Sequence, residues 1–255
     1  MRPILATSTK MNLTSSEAGA WLRTVRSLVA DVAGTDLVVL PPFTSLWVAR
    51  DVLAGSNVAW GAQEMHAEDA GAHTGDVSAP MLVDLGCTWV ELGHVERRRD
   101  YGESDERVAA KVAQALRFGL TPIVCVGEVR REDAAGAAET VPAEVARCLA
   151  SVPADRRDRV VIAYEPAWAI GAGAVAADPR HVVAVHAAIH RWLRSPDGGG
   201  VAGRVIYGGS VDEAAAGSLL DSGGVDGLFV GRAALDPRVF GRLARLVDAA
   251  ASRRG

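Results

Sequence analysis

The sequence predicts an α/β protein, a closed (β/α)8 barrel formed as a single domain over residues 1–255. Eight short apolar runs recur along the chain, longer segments with helical spacing separate them, and eight such units in about 250 residues is the size of this architecture. The runs are ILATS from Ile4, LVVLPP from Leu37, NVAWGAQ from Asn57, CTWVELG from Cys87, TPIVCVG from Thr121, RVVIAYEP from Arg159, RVIYGG from Arg204 and VDGLFVG from Val225. None alternates apolar with polar residues, so each reads as a strand buried on both faces, as parallel strands are. Between the first two runs, Trp21, Leu22, Val25, Leu28, Val29 and Val32 follow helical spacing. A doubly wound open sheet is the structural rival, but it calls for a GxGxxG turn after the first strand, and ATSTKMN has none. SPDGGGV, from Ser195, reads as a loop before the seventh strand and not as a linker between domains.

Composition narrows the function. A chain that is 49% hydrophobic and 23% charged can bury a large core, which excludes a disordered protein. The net charge of −4 argues against a nucleic-acid coat, because counterion release needs a basic face. An anionic ligand must therefore be held by local donors. Cys87, Cys125 and Cys148 are odd in number and lack CxxC spacing, which argues against a disulfide framework and for a reducing compartment. No apolar run approaches a membrane span and MRPILATSTKMN lacks the pattern of a signal peptide, so the expectation is a cytoplasmic protein without a membrane contact.

In a barrel of this kind the loops after the strands build the site, so the strand ends are where chemistry is sought. They carry Ser8 and Lys10, Gln63 and Glu64, His94, Glu128, Glu165, the GGS turn at Gly208 to Ser210, and Gly231, Arg232 and Ala233. A carboxylate, a histidine and a lysine converging on one mouth suit removal of a proton beside a carbonyl and stabilisation of the enediolate that forms. Glycine turns at Gly208, Gly209 and Gly231, with Ser210 beside them, offer backbone N–H groups to a phosphate. The combined expectation is isomerisation of a small sugar phosphate with no metal and no cofactor. His181, His186 and His190 are read as helix surface; His186 and His190 have i, i+4 spacing, but no acidic partner motif accompanies them.

The segments TKMN, GAQEMHAEDAGAHTGDVS, LGHVERR, AYEPAWAIGAG, YGGSV and DGLFVGRAAL resemble the triosephosphate isomerase family, in order and across nearly the whole chain. The resemblance implies a TIM barrel with Lys10 as the electrostatic residue, His94 as the electrophile and Glu165 as the base. A neutral histidine, kept so by a helix N-terminus, is carried over from the family, for which it is known, and not read from this sequence. The resemblance also implies a closing loop with Pro166, Trp168, Ile170 and Gly173, phosphate contacts from Gly171 and Ser210, and a homodimer in which Ala72, His73, Thr74 and Gly75 insert into a twin subunit. Glu128 would anchor Trp168 in the open form, and Tyr207 and Ser210 would hold the closed one.

The chain departs from the family pattern at several points. Ser8 and Thr9 stand where asparagine and tryptophan are usual, Arg232 where a glycine is, and Val95 where a serine follows the histidine. Ala172, Ala174 and Val175 replace polar residues of the closing loop. Ser8 and Arg232, with GAQEMH, resemble a branch that interconverts L-erythrulose 1-phosphate and D-erythrulose 4-phosphate, whose extra hydroxymethyl group needs the volume that Ser8 vacates. That four-carbon reaction is the leading expectation, and the triose phosphate reaction is the alternative. A barrel that binds a sugar phosphate without turnover is a third reading, favoured by Val95.

Overall fold

The structure, a computed structural model, describes residues 1–171 and 176–254. Eight parallel strands close into a barrel in sequence order: β1 (Ile4–Ser8), β2 (Asp36–Leu40), β3 (Val58–Ala62), β4 (Trp89–Leu92), β5 (Thr121–Val126), β6 (Val161–Tyr164), β7 (Arg204–Tyr207) and β8 (Gly227–Val230). Seven lie inside one of the eight apolar runs, and β2 begins one residue ahead of its run, at Asp36. The seam is the pairing of β1 with β8, in which Ile4 to Thr7 face Gly227 to Val230.

Side chains along a strand alternate, and here both faces are dry. One set, including Ile4, Ala6, Val38, Leu40, Trp89, Ile123, Cys125, Val161, Ala163, Ile206 and Phe229, forms a compact inner cluster. The alternate set, including Leu5, Val39, Val90, Leu92, Val124, Val205 and Leu228, packs in the larger cluster that the helices share. That division explains why no strand reads as half polar. Continued by two residues at its upper end, the inner set reaches Ser8, Glu91 and Glu165. The barrel interior therefore becomes polar only at its mouth.

The helices are α1 (Ser15–Leu28), α2 (Leu46–Leu53), α3 (Ala79–Asp84), α4 (Val95–Tyr101), α5 (Asp105–Arg117), α6 (Ala134–Cys148), α7 (Pro179–Arg194), α8 (Glu213–Asp221) and α9 (Pro237–Arg254). A reciprocal capping box between Thr14 and Glu17 starts α1, which buries Trp21, Leu22 and Val25. Side chains of Ser104, Asp133, Asp178 and Asp212 cap α5, α6, α7 and α8. The single helix expected after the fourth strand is two, because Gly102 ends α4 in the left-handed conformation, φ 65°. After β3 a long connection precedes α3, and residues 72–75 at its tip are exposed. No helix among the described residues is long and apolar enough to cross a membrane.

Closure depends on a missing side chain. A Cβ on Gly227 would stand 2.1 Å from the carbonyl oxygen of Ile4, inside the β1–β8 seam. Gly227→Ala is expected to destabilise the barrel by about 1–3 kcal/mol, read as a lower urea midpoint at an unchanged slope.

Candidate active site

The mouth of the barrel holds a cavity of about 640 Å³, lined among others by Ser8, Lys10, Glu91, His94, Glu165 and Arg232. Ile170, Gly171, Ser210 and Gly231 also border it. The structure thus gathers residues from β1, β4, β6, β7 and β8 around one space. Of the residues expected there, Gly173 lies outside the described residues, while Pro166 and Trp168 stand behind the cavity, at the base of the loop that follows β6.

Lys10 follows β1 in a left-handed turn, φ 50°, the single positive value on a non-glycine among the described residues. Such a conformation is disfavoured by about 1–3 kcal/mol and needs outside support. Gln63 supplies it: its amide donates to the carbonyls of Lys10 at 3.2 Å and Leu40 at 2.8 Å. The ammonium is thereby aimed into the cavity, where Nζ donates to Glu96 Oε1 at 2.8 Å.

His94 occupies the N-cap of α4, and its Nδ1 accepts the backbone N–H of Glu96 at 3.1 Å. A ring nitrogen that accepts carries no proton, so the proton of the neutral ring sits on Nε2. Nε2 lies 3.5 Å from Glu165 Oε2. Burial pushes the imidazole pKa down to about 4, and the charge of Lys10 adds to the effect. Neutrality at pH 7 follows from these surroundings. Arg98 fixes the preceding turn, donating from Nε to the carbonyl of Gly93 at 2.8 Å and from Nη1 to Asp105 at 2.6 Å.

Glu165 is 5% exposed, and Oε2 has no hydrogen-bond partner among the described residues. Burial first, then the neighbouring carboxylate of Glu91, push its pKa up to about 8, while Lys10 and the Cys125 thiol pull it down. Gly208 makes room for it, since a Cβ there would meet Glu165 Oε1 at 2.5 Å. The glycine pair after β7 therefore has a steric role beside any phosphate contact. Glu91 is the residue that the strand-end reading passed over. It lies on β4, one step of two below Gly93, and the period of the strand turns it inward with Trp89. At 2% exposure its carboxyl pKa rises to about 7 through burial, against a hydrogen bond from Ser8 and the charge of Lys10.

Behind the cavity, Glu128 gathers three donors. Trp168 Nε1 donates to Oε1 at 2.8 Å, the Tyr164 hydroxyl lies 3.0 Å from the same atom, and His181 Nε2 is 3.3 Å away. At the same time the Ser210 hydroxyl and backbone N–H both donate to the carbonyl of Ala169, at 2.8 and 3.1 Å. The Glu128 anchor expected of an open loop and the Ser210 anchor expected of a closed one thus coexist in one conformation, and Ser210 spends its donors on the loop. Arg232 is exposed at the start of a short 3-10 turn, Arg232–Leu235.

The three histidines of α7 are not helix surface. His186 is fully buried beside Tyr164 and Tyr207, and burial pushes its pKa down to about 3. His181 belongs to the Glu128 network, and His190 Nε2 is 3.0 Å from Asp226. The helix packs this face against β6 and β7, which i, i+4 spacing alone could not reveal. A different group, His66, His73 and Asp76, brings possible ligand atoms within 4.8 Å of one another. Arg107 Nη2 stands 2.8 Å from His66 Nε2, which disfavours a cation there.

A carboxyl whose folded pKa lies above its unfolded value near 4.3 holds its proton in the native state over the window up to about 8. Its contribution to stability is complete below the unfolded pKa and is lost as pH rises through the folded one. Glu165→Gln is therefore expected to become more stable relative to the parent between pH 5 and pH 9, by at most about 1.4 kcal/mol for each pH unit inside the window. Urea midpoints at the two pH values check this, and parallel profiles would contradict it.

With this geometry in view, the comparisons with known proteins are informative. The triosephosphate isomerase family model matches residues 3–247. A triosephosphate isomerase of Aquifex aeolicus (strain VF5) is 39% identical over 246 residues, spanning 95% of this chain and 98% of that protein. Those of Roseiflexus sp. (strain RS-1) and Chloroflexus aurantiacus (strain ATCC 29366 / DSM 635 / J-10-fl) are each 43% identical over 244 residues, spanning 94% of this chain and 96% and 97% of the relatives. Matches of this extent, running through every strand of the barrel, have one meaning: the chain belongs to the triosephosphate isomerase family.

Proposed function

We propose that the chain interconverts dihydroxyacetone phosphate and glyceraldehyde 3-phosphate by proton transfer through an enediolate. The observation that carries this reading is the approach of Glu165 Oε2 to His94 Nε2, 3.5 Å apart, in a cavity that Lys10 also lines. Ionised Glu165 takes the proton from the carbon beside the carbonyl, and the electron pair of that C–H bond forms the C=C bond of the enediolate. The Nε2 proton of His94 and the ammonium of Lys10 meet the charge that develops on the two oxygens. The Nε2 proton of His94 passes to the former carbonyl oxygen, the imidazole takes up the hydroxyl proton of the neighbouring oxygen, and Glu165 returns its proton to the adjacent carbon as the C=C pair becomes the new C–H bond and the carbonyl forms on the first carbon.

The phosphate is assigned to the backbone of Gly171 and Gly231 and to Arg232, with Ser210 joining when its bonds to Ala169 are exchanged. The names of the relatives above support the three-carbon substrate. A second reading, the interconversion of L-erythrulose 1-phosphate and D-erythrulose 4-phosphate, is favoured by one observation. Ser8 is a small side chain in the cavity wall next to Lys10, so a substituent on the reacting carbon has space there.

The reading extends to a homodimer in the cytoplasm. Exposed residues 72–75, the exposed side chains Met11 and Tyr101, and a second cavity of about 370 Å³ lined by Phe43, Glu64, Tyr101 and Lys111 support insertion of this loop into a twin subunit. Three free cysteines support a reducing compartment.

Turnover of both substrates by the purified protein, together with solvent-deuterium uptake at the substrate carbon, tests the assignment. Glu165→Gln is expected to lower kcat by at least about 100-fold and to abolish deuterium uptake. Retained uptake in that variant would remove Glu165 from the role of base.

A further inference from the structure

Glu91 is a carboxyl group that the reaction above does not use, yet it stands in the wall of the cavity that holds Lys10, His94 and Glu165. It is 2% exposed, and no lysine, arginine or histidine nitrogen among the described residues lies within 4 Å of it. An ionised carboxyl is among the costliest groups to bury without a cation beside it. The cavity therefore holds one buried carboxyl more than proton transfer between two carbons needs.

The strands bring this second carboxyl up to the base. Glu91 on β4 is level with Ile123 on β5, and Cys125, the next inward residue of β5, is level with Ala163 on β6. Glu165 is the next inward position after Ala163, so Glu91, Cys125 and Glu165 climb the inner wall as neighbours. The charges of both glutamates act on the Cys125 thiol, and that of Glu91 is the largest acting on Glu165.

The other titratable groups at the mouth leave this relation intact. Lys10 pulls both carboxyls down, but its ammonium is already bound to Glu96, whose own charge pushes both up. Glu64, beyond β3, adds to the push on Glu91. His94, 3.5 Å from Glu165, is neutral, and the Cys125 thiol and Tyr207 hydroxyl, both raised by burial, keep their protons at neutral pH. Arg232 lines the cavity but is exposed to solvent. Two carboxylates in a dry site cannot both ionise without a large cost, so one of them keeps its proton to a higher pH than it would alone.

We propose that Glu91 and Glu165 form a carboxyl pair that holds one proton between them, so that Glu91 governs how much of the base is ionised. While the pair carries a single negative charge, ionised Glu91 leaves Glu165 protonated and idle, whereas ionised Glu165 leaves Glu91 neutral. In the second arrangement the proton on Glu91 keeps a further negative charge away from the enediolate as it forms. Glu91 acts through Glu165 and is a positioning residue. The consequence for turnover rests on the isomerase reading of this cavity; the pairing itself does not.

Two measurements test the pair. In the first, kcat/KM on dihydroxyacetone phosphate is followed from pH 5 to pH 9 for the parent, Glu91→Gln, Glu91→Leu and Glu91→Asp, the titration of the substrate phosphate being common to all four. Removing the charge of Glu91 lowers the proton affinity of Glu165, so the acid limb of Glu91→Gln and Glu91→Leu is expected at least about one pH unit below that of the parent, with Glu91→Asp, which keeps the charge, close to the parent. In the second, carboxyl 13C NMR of the free protein follows the two groups without substrate, each assigned by its absence in Glu91→Gln or Glu165→Gln. Removal of either carboxyl is expected to move the titration of the other to lower pH by the same amount, since coupling between two sites is reciprocal.

An acid limb and a Glu165 titration that Glu91→Gln and Glu91→Leu both leave in place overturn the pair, even if dihydroxyacetone phosphate turns over and the isomerase reading stands. A loss of kcat/KM at every pH with the limb unmoved overturns it too, in favour of a structural role. If the variants fail to fold, the parent spectrum decides, because independent single-step titrations overturn the pair and two shared steps support it. If the parent does not turn over dihydroxyacetone phosphate but the reciprocal shift is found, the isomerase reading fails and the pair stands.

Discussion

Closure of the sheet between β1 and β8 is the constraint on which the rest of this structure depends. Once the eight strands share one ring, their inward side chains have a single narrow interior to fill, and the residues at its mouth cannot avoid one another. Ile4, Ala6 and their counterparts fill the lower part with hydrocarbon. That filling removes water from below Ser8, Glu91 and Glu165, so these three stand on an apolar floor. The perturbed acidity of both glutamates is a result of that floor before it is a result of any neighbour.

Charge at the mouth is then organised by a residue at its edge. Glu96 gives its backbone N–H to His94 Nδ1 and its carboxylate to Lys10 Nζ. One residue in the first turn of α4 therefore sets both the tautomer of the imidazole and the direction of the ammonium. Burial works against its ionised form, but the hydrogen bond and charge of Lys10 hold its pKa below the ordinary carboxylate range. The cation and the neutral ring are in this way positioned from the same helix start, while Oε2 of Glu165 opposite them keeps no hydrogen-bond partner among the described residues.

Strand positions and the strand-end residues were legible in the sequence because both follow from simple periods. Apolar runs of four to eight residues mark parallel strands, and Lys10, His94 and Glu165 come just after three of them. Glu91 was not found by that route, since it lies within a strand and reads as one polar residue in a hydrophobic run; the inward parity it shares with Trp89 was the signal available. The histidines of α7 were misread because a helix wedged against a barrel hides more than one face, and the burial of His186 depends on Tyr164 and Tyr207, distant in sequence. The coexistence of the Trp168 and Ser210 anchors depends on distances between loops, which no spacing encodes.

The three thiols carry a consequence for chemical durability. Cys87 and Cys148 are buried, with pKa values pushed up to about 12 chiefly by desolvation, and Cys125, inside the barrel, is raised still further by burial and by the adjacent glutamates. Alkylating agents and thiol oxidants react with the thiolate, so the cysteines of the folded chain offer them almost no target. Modification of these thiols then requires that the structure around them open first. The lifetime of the thiols under oxidative stress becomes a measure of how rarely the fold around them opens, and not of thiol reactivity.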